Sequence, residues 1–142
     1  MAAATSAAEF EADTYTAIKE VEDIGEFGDE AEEITFLSIN DARVRKAKGA
    51  RDAGALELVC AFDAADAGQV LMRSASASDA EFNFRVTLND KPAGVGSTPS
   101  TFYFKALVSA SKVGLGGAND IAKETFTLSI SSGIVAVPAA AA

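Results

Sequence analysis

Apolar and polar side chains alternate along several segments of the chain, and this period of two predicts antiparallel strands with one face on a core. The segments are residues 55–63, 81–89, 101–111 and 124–132. In residues 81–89, for example, Phe82, Phe84 and Val86 share one face and polar side chains take the other. Residues 14–24 alternate more loosely, and residues 33–39 form a short apolar segment. We therefore predict a mainly β fold built on antiparallel sheet.

One segment has helical spacing instead, with Ala67, Val70 and Leu71 on one side. It predicts a single flanking α-helix over about residues 64–76. We expect Asp63 to cap its free N–H groups and Asp66 to sit favourably in its first turn. Gly68 is expected to weaken the helix slightly.

The segments between and beyond these elements predict the domain organisation. Residues 40–54 are predicted to be a long loop, which in a compact domain is usually functional. We predict a β domain over 14–132, a flexible or assembly-ordered N-terminal arm over 1–13, and a C-terminal arm over 133–142. Both arms are rich in alanine.

Charge is separated along the chain, whose net charge is −9. Eleven of the 21 acids lie between Glu9 and Glu33, where Lys19 is the single base. Five of the 12 bases lie within residues 43–51 of the predicted loop, and no acid lies in that stretch: Arg43, Arg45, Lys46, Lys48 and Arg51. The acidic strip that would suit them comprises Glu20, Glu22, Asp23, Glu26, Asp29, Glu30, Glu32 and Glu33. Self-association through these charges is favoured over nucleic-acid contact, because the loop has no aromatic residue. An exposed loop without a partner is the third interpretation.

The composition disfavours catalysis and cofactor binding. The chain has no histidine, which is the commonest general base and metal ligand. The single cysteine, Cys60, lies on the apolar face of its strand and is predicted to be a buried, inert thiol. The glycine clusters at 94–96 and 114–117 do not match phosphate-binding motifs. We expect no cofactor, no metal, no secretory signal and no membrane anchor.

Two local motifs resemble those of a known family. Arg51-Asp-Ala-Gly54 precedes a strand, and Phe62-Asp-Ala-Ala-Asp-Ala-Gly-Gln69 opens the helix. With the order of elements around them, residues 14–132 resemble the major tail tube proteins of bacteriophages with long, non-contractile tails.

This resemblance implies an antiparallel β-sandwich or split barrel with one flanking α-helix. It also implies a structural virion protein that forms hexameric rings, which stack into a tail tube for genome DNA delivery. It implies tape measure, tail tip and tail terminator proteins as further partners, and assembly in the host bacterial cytoplasm. DNA would pass through the lumen without specific binding. The family's long loop reaches the neighbouring ring and corresponds here to residues 40–54. We expect its five bases to dock on the acidic strip of that ring. Two alternatives stay open, namely a monomeric binding or decoration module and the tube of a contractile tail or secretion system.

Overall fold

The computed structural model describes residues 6–141, so the first five residues of the predicted N-terminal arm and Ala142 of the C-terminal arm lie outside the described residues. Two helices and eight strands follow one another along this part of the chain. Their bounds are α1 Ala7–Glu11, β1 Val21–Asp23, β2 Glu30–Leu37, β3 Val44–Asp52, β4 Ala55–Ala61, α2 Ala67–Ser76, β5 Phe82–Thr87, β6 Thr101–Gly114, β7 Lys123–Ile130 and β8 Val135–Val137.

Six of the strands form one antiparallel sheet that curls into a half-barrel. Its order is β1-β4-β7-β6-β5, and β8 pairs with the first residues of β6. Strands β2 and β3 form a separate hairpin. The prediction of a mainly β, antiparallel fold with a flanking helix is confirmed.

The core lies between the curled sheet and α2, as the period of two predicts. Strand β7 buries every second residue, including Phe126, Leu128 and Ile130, and β4 buries Leu56, Leu58 and Cys60. Met72 and Ala75 of α2 complete the cluster. Removal of these apolar side chains from water on folding is the main force that holds the sheet in its curled form.

The segment predicted as a long loop over 40–54 is mostly a strand, so that prediction is wrong. Residues 44–52 form β3, and Ala42 takes a left-handed backbone (φ 44°) in the turn before it. No apolar alternation marks this strand because neither of its faces is buried in the chain. Its order comes from backbone pairing with β2 instead.

The helix begins at Ala67, three residues later than predicted, because Asp66 rather than Asp63 is the N-cap. The Asp66 carboxylate accepts a hydrogen bond from the Gln69 N–H at 3.0 Å. Asp63 instead accepts from the Ala65 N–H at 2.9 Å and so closes the turn before the helix. The predicted capping role of Asp63 is therefore wrong, and the cap belongs to the residue that was expected in the first turn.

Candidate assembly surface

The β2–β3 hairpin stands apart from the sheet. Within residues 6–141 its two strands pair only with each other. Nearly all of its side chains are exposed, including Ile34, Phe36 and Leu37. Eight strand residues at roughly 3.3 Å each give the hairpin a reach of about 26 Å. Few folded monomers leave so much strand backbone and apolar surface in water, which indicates a surface that meets another protein.

The register of the hairpin separates its side chains into two faces. On one face, Ile34 lies opposite Ala47 and Phe36 lies opposite Arg45. Gly49 extends this face, because a Cβ there would lie only 3.1 Å from Ile34 Cδ1. On the other face, Glu33 lies opposite Lys48 and Thr35 lies opposite Lys46. Leu37 and Val44 also lie opposite each other on this second face, so the hairpin has one largely apolar face and one face that is charged except at its tip.

Charge also changes along the length of the hairpin. The tip, residues 36–46, carries three bases and one acid, which are Arg43, Arg45, Lys46 and Asp41. The base, residues 29–33 and 48–52, carries five acids and two bases. The hairpin is therefore an electric dipole with its positive end exposed, attached to a chain whose net charge is −9.

The structure brings only a few of the predicted charged residues together within one chain. Lys46 Nζ lies 3.3 Å from Glu33 Oε1 across the hairpin, and Arg45 pairs at 2.8 Å with Asp41, an acid outside the predicted strip. Both pairs are exposed, so each stabilises the chain little.

The acidic strip itself is divided between the two sheets. Glu30, Glu32 and Glu33 lie on β2, whereas Glu22 and Asp23 lie on β1 at the edge of the six-stranded sheet. Glu20 precedes β1 with a left-handed backbone, and Glu26 and Asp29 lie in the connection to β2. Glu22 pairs with Lys123 of β7 at 2.8 Å. The strip is therefore not one continuous surface.

A buried ion pair holds α2 against the sheet, and sequence reasoning missed it. Glu124 of β7 is 1% exposed and accepts three hydrogen bonds from the Arg73 guanidinium, the shortest at 2.7 Å. Ser111 donates a further bond at 3.0 Å. The hydrogen bonds to Glu124 raise the pKa of Arg73 above its ordinary value. A signal was present, because Glu124 shares the inward parity of Phe126 and Leu128.

The described residues form no cluster suited to a metal ion. No group of three or more His, Cys, Asp or Glu side chains within residues 6–141 is placed to hold a metal ion. Cys60 is fully buried, which confirms the expected burial of this thiol, and burial raises its pKa. No helix between residues 6 and 141 is long and apolar enough to cross a membrane.

Comparison with known proteins identifies one protein family. A family model described as phage tail tube protein matches residues 4–139. No curated protein sequence matches the chain. Several solved structures share its fold at low sequence identity, among them the following three.

The first of these structures, the anti-feeding prophage baseplate, contains a chain with a TM-score of 0.64 and 16% identity, covering 81% of this chain and 78% of that one. The SPP1 tail tube gives a TM-score of 0.60 and 14% identity, covering 80% and 63%. The sheath–tube complex of an extracellular contractile injection system, PVC, gives 0.60 and 14%, covering 95% and 99%. At these identities the likeness shows the fold alone.

Proposed function

Because the chain belongs to the phage tail tube protein family, we propose that its copies close into hexameric rings and that the rings stack into the tube of a virion tail. The observation that carries this proposal is the β2–β3 hairpin. It projects from the sheet, exposes apolar side chains and has a basic tip on an acidic chain. Contacts between different surfaces of identical copies do not close on themselves, so they extend into a filament.

The charge of the chain supports a role as a conduit for DNA. A wall that carries net negative charge repels phosphate, whereas a basic wall would hold DNA through counterion release. With a net charge of −9 per copy, we propose that DNA slides through the lumen without specific binding. The role is structural and involves no enzymatic step. The tape measure, tail tip and tail terminator proteins are the further partners, and assembly takes place in the host bacterial cytoplasm.

The tube of a contractile system is the second candidate, because the fold is also that of a chain in the PVC sheath–tube complex. The two candidates differ in what surrounds the tube. A contractile tail needs a sheath that binds the tube's outer wall, so incubation of purified tubes with sheath subunits from the same genome separates them. Decorated tubes would favour the contractile candidate, and bare tubes the non-contractile one.

The proposal is tested by negative-stain electron microscopy of the purified protein, before and after concentration and long incubation. We expect hollow tubes or stacked rings. Where growth is slow, isolated tail tips should act as seeds. Small monodisperse particles that persist even with seeds would contradict the proposal and favour a monomeric binding or decoration module.

A further inference from the structure

The hairpin and the β6–β7 turn lie at opposite ends of the six-stranded sheet. Strand β3 ends at Asp52, just before β4 begins at Ala55, and Ala55 pairs with Ser129 near the end of β7. At the other end, β6 finishes at Gly114, which pairs with Lys123 at the start of β7. The hairpin therefore leaves one end of the strands and the turn caps the other.

Four exposed apolar side chains cluster at the turn end, and we refer to them as the loop-end patch: Phe62, Val113, Leu115 and Ile121. The Phe62 N–H donates to the Ala122 carbonyl at 2.9 Å, so the end of β4 lies beside the turn. Leu115 is 81% exposed and Ile121 is 70% exposed. Grouped apolar side chains at such exposure mark a surface for protein contact.

The hairpin tip presents a matching set. Phe36, Leu37, Ile39 and Val44 are at least half exposed, and Ile39 is wholly so. The two ends also differ in charge. The tip carries three bases and one acid. Apart from the buried Asp66 and the Arg73–Glu124 pair, the segments at the turn end carry four acids and three bases: Glu20, Glu22, Asp63, Asp120, Lys19, Lys112 and Lys123. The ends are thus both apolar and are complementary in net charge.

We propose that the hairpin tip of one copy docks on the loop-end patch of a second copy, so that copies join head to tail along the tube. This inference rests on the proposed function and deepens it by assigning the receiving surface. The receiver is the turn end of the sheet, and the divided acidic strip is not required as one surface. Because donor and receiver lie at opposite ends of the same chain, every added copy presents a fresh tip.

The direct test is crosslinking between one residue of the tip and one of the patch. We would introduce Ile39→Cys and Leu115→Cys in the same chain, assemble it, and treat it with a short bis-maleimide. Cys60 is fully buried and does not compete. We expect a ladder of covalently joined copies on a denaturing gel. Either single variant alone should give no ladder, and a mixture of the two single variants should give dimers.

The outcomes separate this inference from the proposed function. Tubes that form without a ladder from the double variant would overturn the head-to-tail assignment and leave the tube function standing. Failure of the unaltered chain to form rings or tubes would overturn the proposed function itself.

A second measurement does not depend on crosslinking geometry. Ile121→Ser should raise the concentration needed for stacking roughly tenfold, because an apolar contact is lost at each joint. Val95→Ser is the matched control, since Val95 is 97% exposed in the β5–β6 loop, outside the patch. Both variants should unfold at the same temperature as the unaltered chain. Equal stacking by both would overturn the inference.

Discussion

Gly68 is the residue at which the first turn of α2 meets the N-terminal segment. A Cβ at this position would lie 2.3 Å from the Ala17 carbonyl oxygen and 2.6 Å from Ile18 Cα, both backbone atoms that cannot turn aside. Hydrogen bonds fix the contact, because the Lys19 N–H donates to Asp66 and the Gln69 amide donates to the Lys19 carbonyl. The glycine that weakens the helix is thus the one that permits this close approach.

Gly68→Ala should therefore destabilise the chain, although alanine is the better helix former by about 1 kcal/mol. We expect a net loss of about 1–3 kcal/mol in the free energy of unfolding, as for other overpacked sites, measured by urea titration. Gly133→Ala is the matched control, because a Cβ there meets nothing within 4 Å. A Gly68→Ala variant that is more stable than the parent would contradict the close contact.

Cys60 should not react with thiol reagents until the chain unfolds. Burial raises its pKa, so the thiolate, which is the reactive form, is disfavoured in the folded state. We expect no reaction with an aromatic disulfide reagent at neutral pH and full reaction in urea.

The raised pKa of Cys60 also sets a direction for stability. The pKa of the Cys60 thiol is higher in the folded chain than in the unfolded chain. The contribution of this thiol to folding stability is therefore fully present below the unfolded pKa and is lost as pH rises through the folded pKa. Stability should therefore fall on the alkaline side, and Cys60→Ala should reduce the slope of that fall. Rapid labelling of the folded chain would show that Cys60 is accessible.

At the scale of elements, the Arg73–Glu124 pair decides how firmly α2 is held. Arg73→Met leaves the Glu124 carboxylate buried without its cation, and removal of one partner from a buried pair costs about 3–5 kcal/mol. Lys123→Met is the matched control, because it breaks the exposed pair with Glu22 at the neighbouring residue. Lys123→Met should lower the free energy of unfolding by only about 0–1 kcal/mol. If urea titrations gave the same loss of unfolding free energy for Arg73→Met and Lys123→Met, the special role of the buried pair would be contradicted.

The elements that the sequence predicts well are those with one buried face. Apolar and polar residues alternate in strands β4–β7 because the inward side chains contact the core. This period of two can therefore be recognised in the sequence. Strand β3 has neither face buried, and its four bases, with Arg43 just before them, favoured the prediction of a loop. Two aspartates compete for the start of α2, and the choice of Asp66 depends on the tertiary hydrogen bond from Lys19. No local pattern encodes such a contact.

At the scale of the whole molecule, the basic segment was predicted to be an assembly surface, and that role stays a prediction, whereas the geometry of the segment could not be predicted from the sequence. Its bases are contiguous in sequence, whereas the acids expected to receive them fold into two different sheets. Equally, the loop-end patch combines Phe62, which follows β4, with Val113 and Ile121 of the β6–β7 hairpin, and only the fold brings these two segments together. Surfaces built from distant segments are not visible in a period or a motif.

The basic tip gives the last prediction. The double reversal Arg45→Glu, Lys46→Glu changes the tip from net positive to net negative, so it should repel the acidic turn end of the next copy. We expect tube growth to stop while the chain stays folded, because the pairs with Asp41 and Glu33 are exposed and stabilise little. Arg45→Glu alone should weaken growth, whereas the single reversal Lys91→Glu, in the β5–β6 loop, should not. Sedimentation and microscopy measure growth, and circular dichroism measures folding.

Since salt screens exposed charges, the growth of the unaltered chain should also slow at high ionic strength. Unchanged growth of the double reversal would show that the tip charges do not guide stacking, and the apolar contact alone would then have to hold successive copies together.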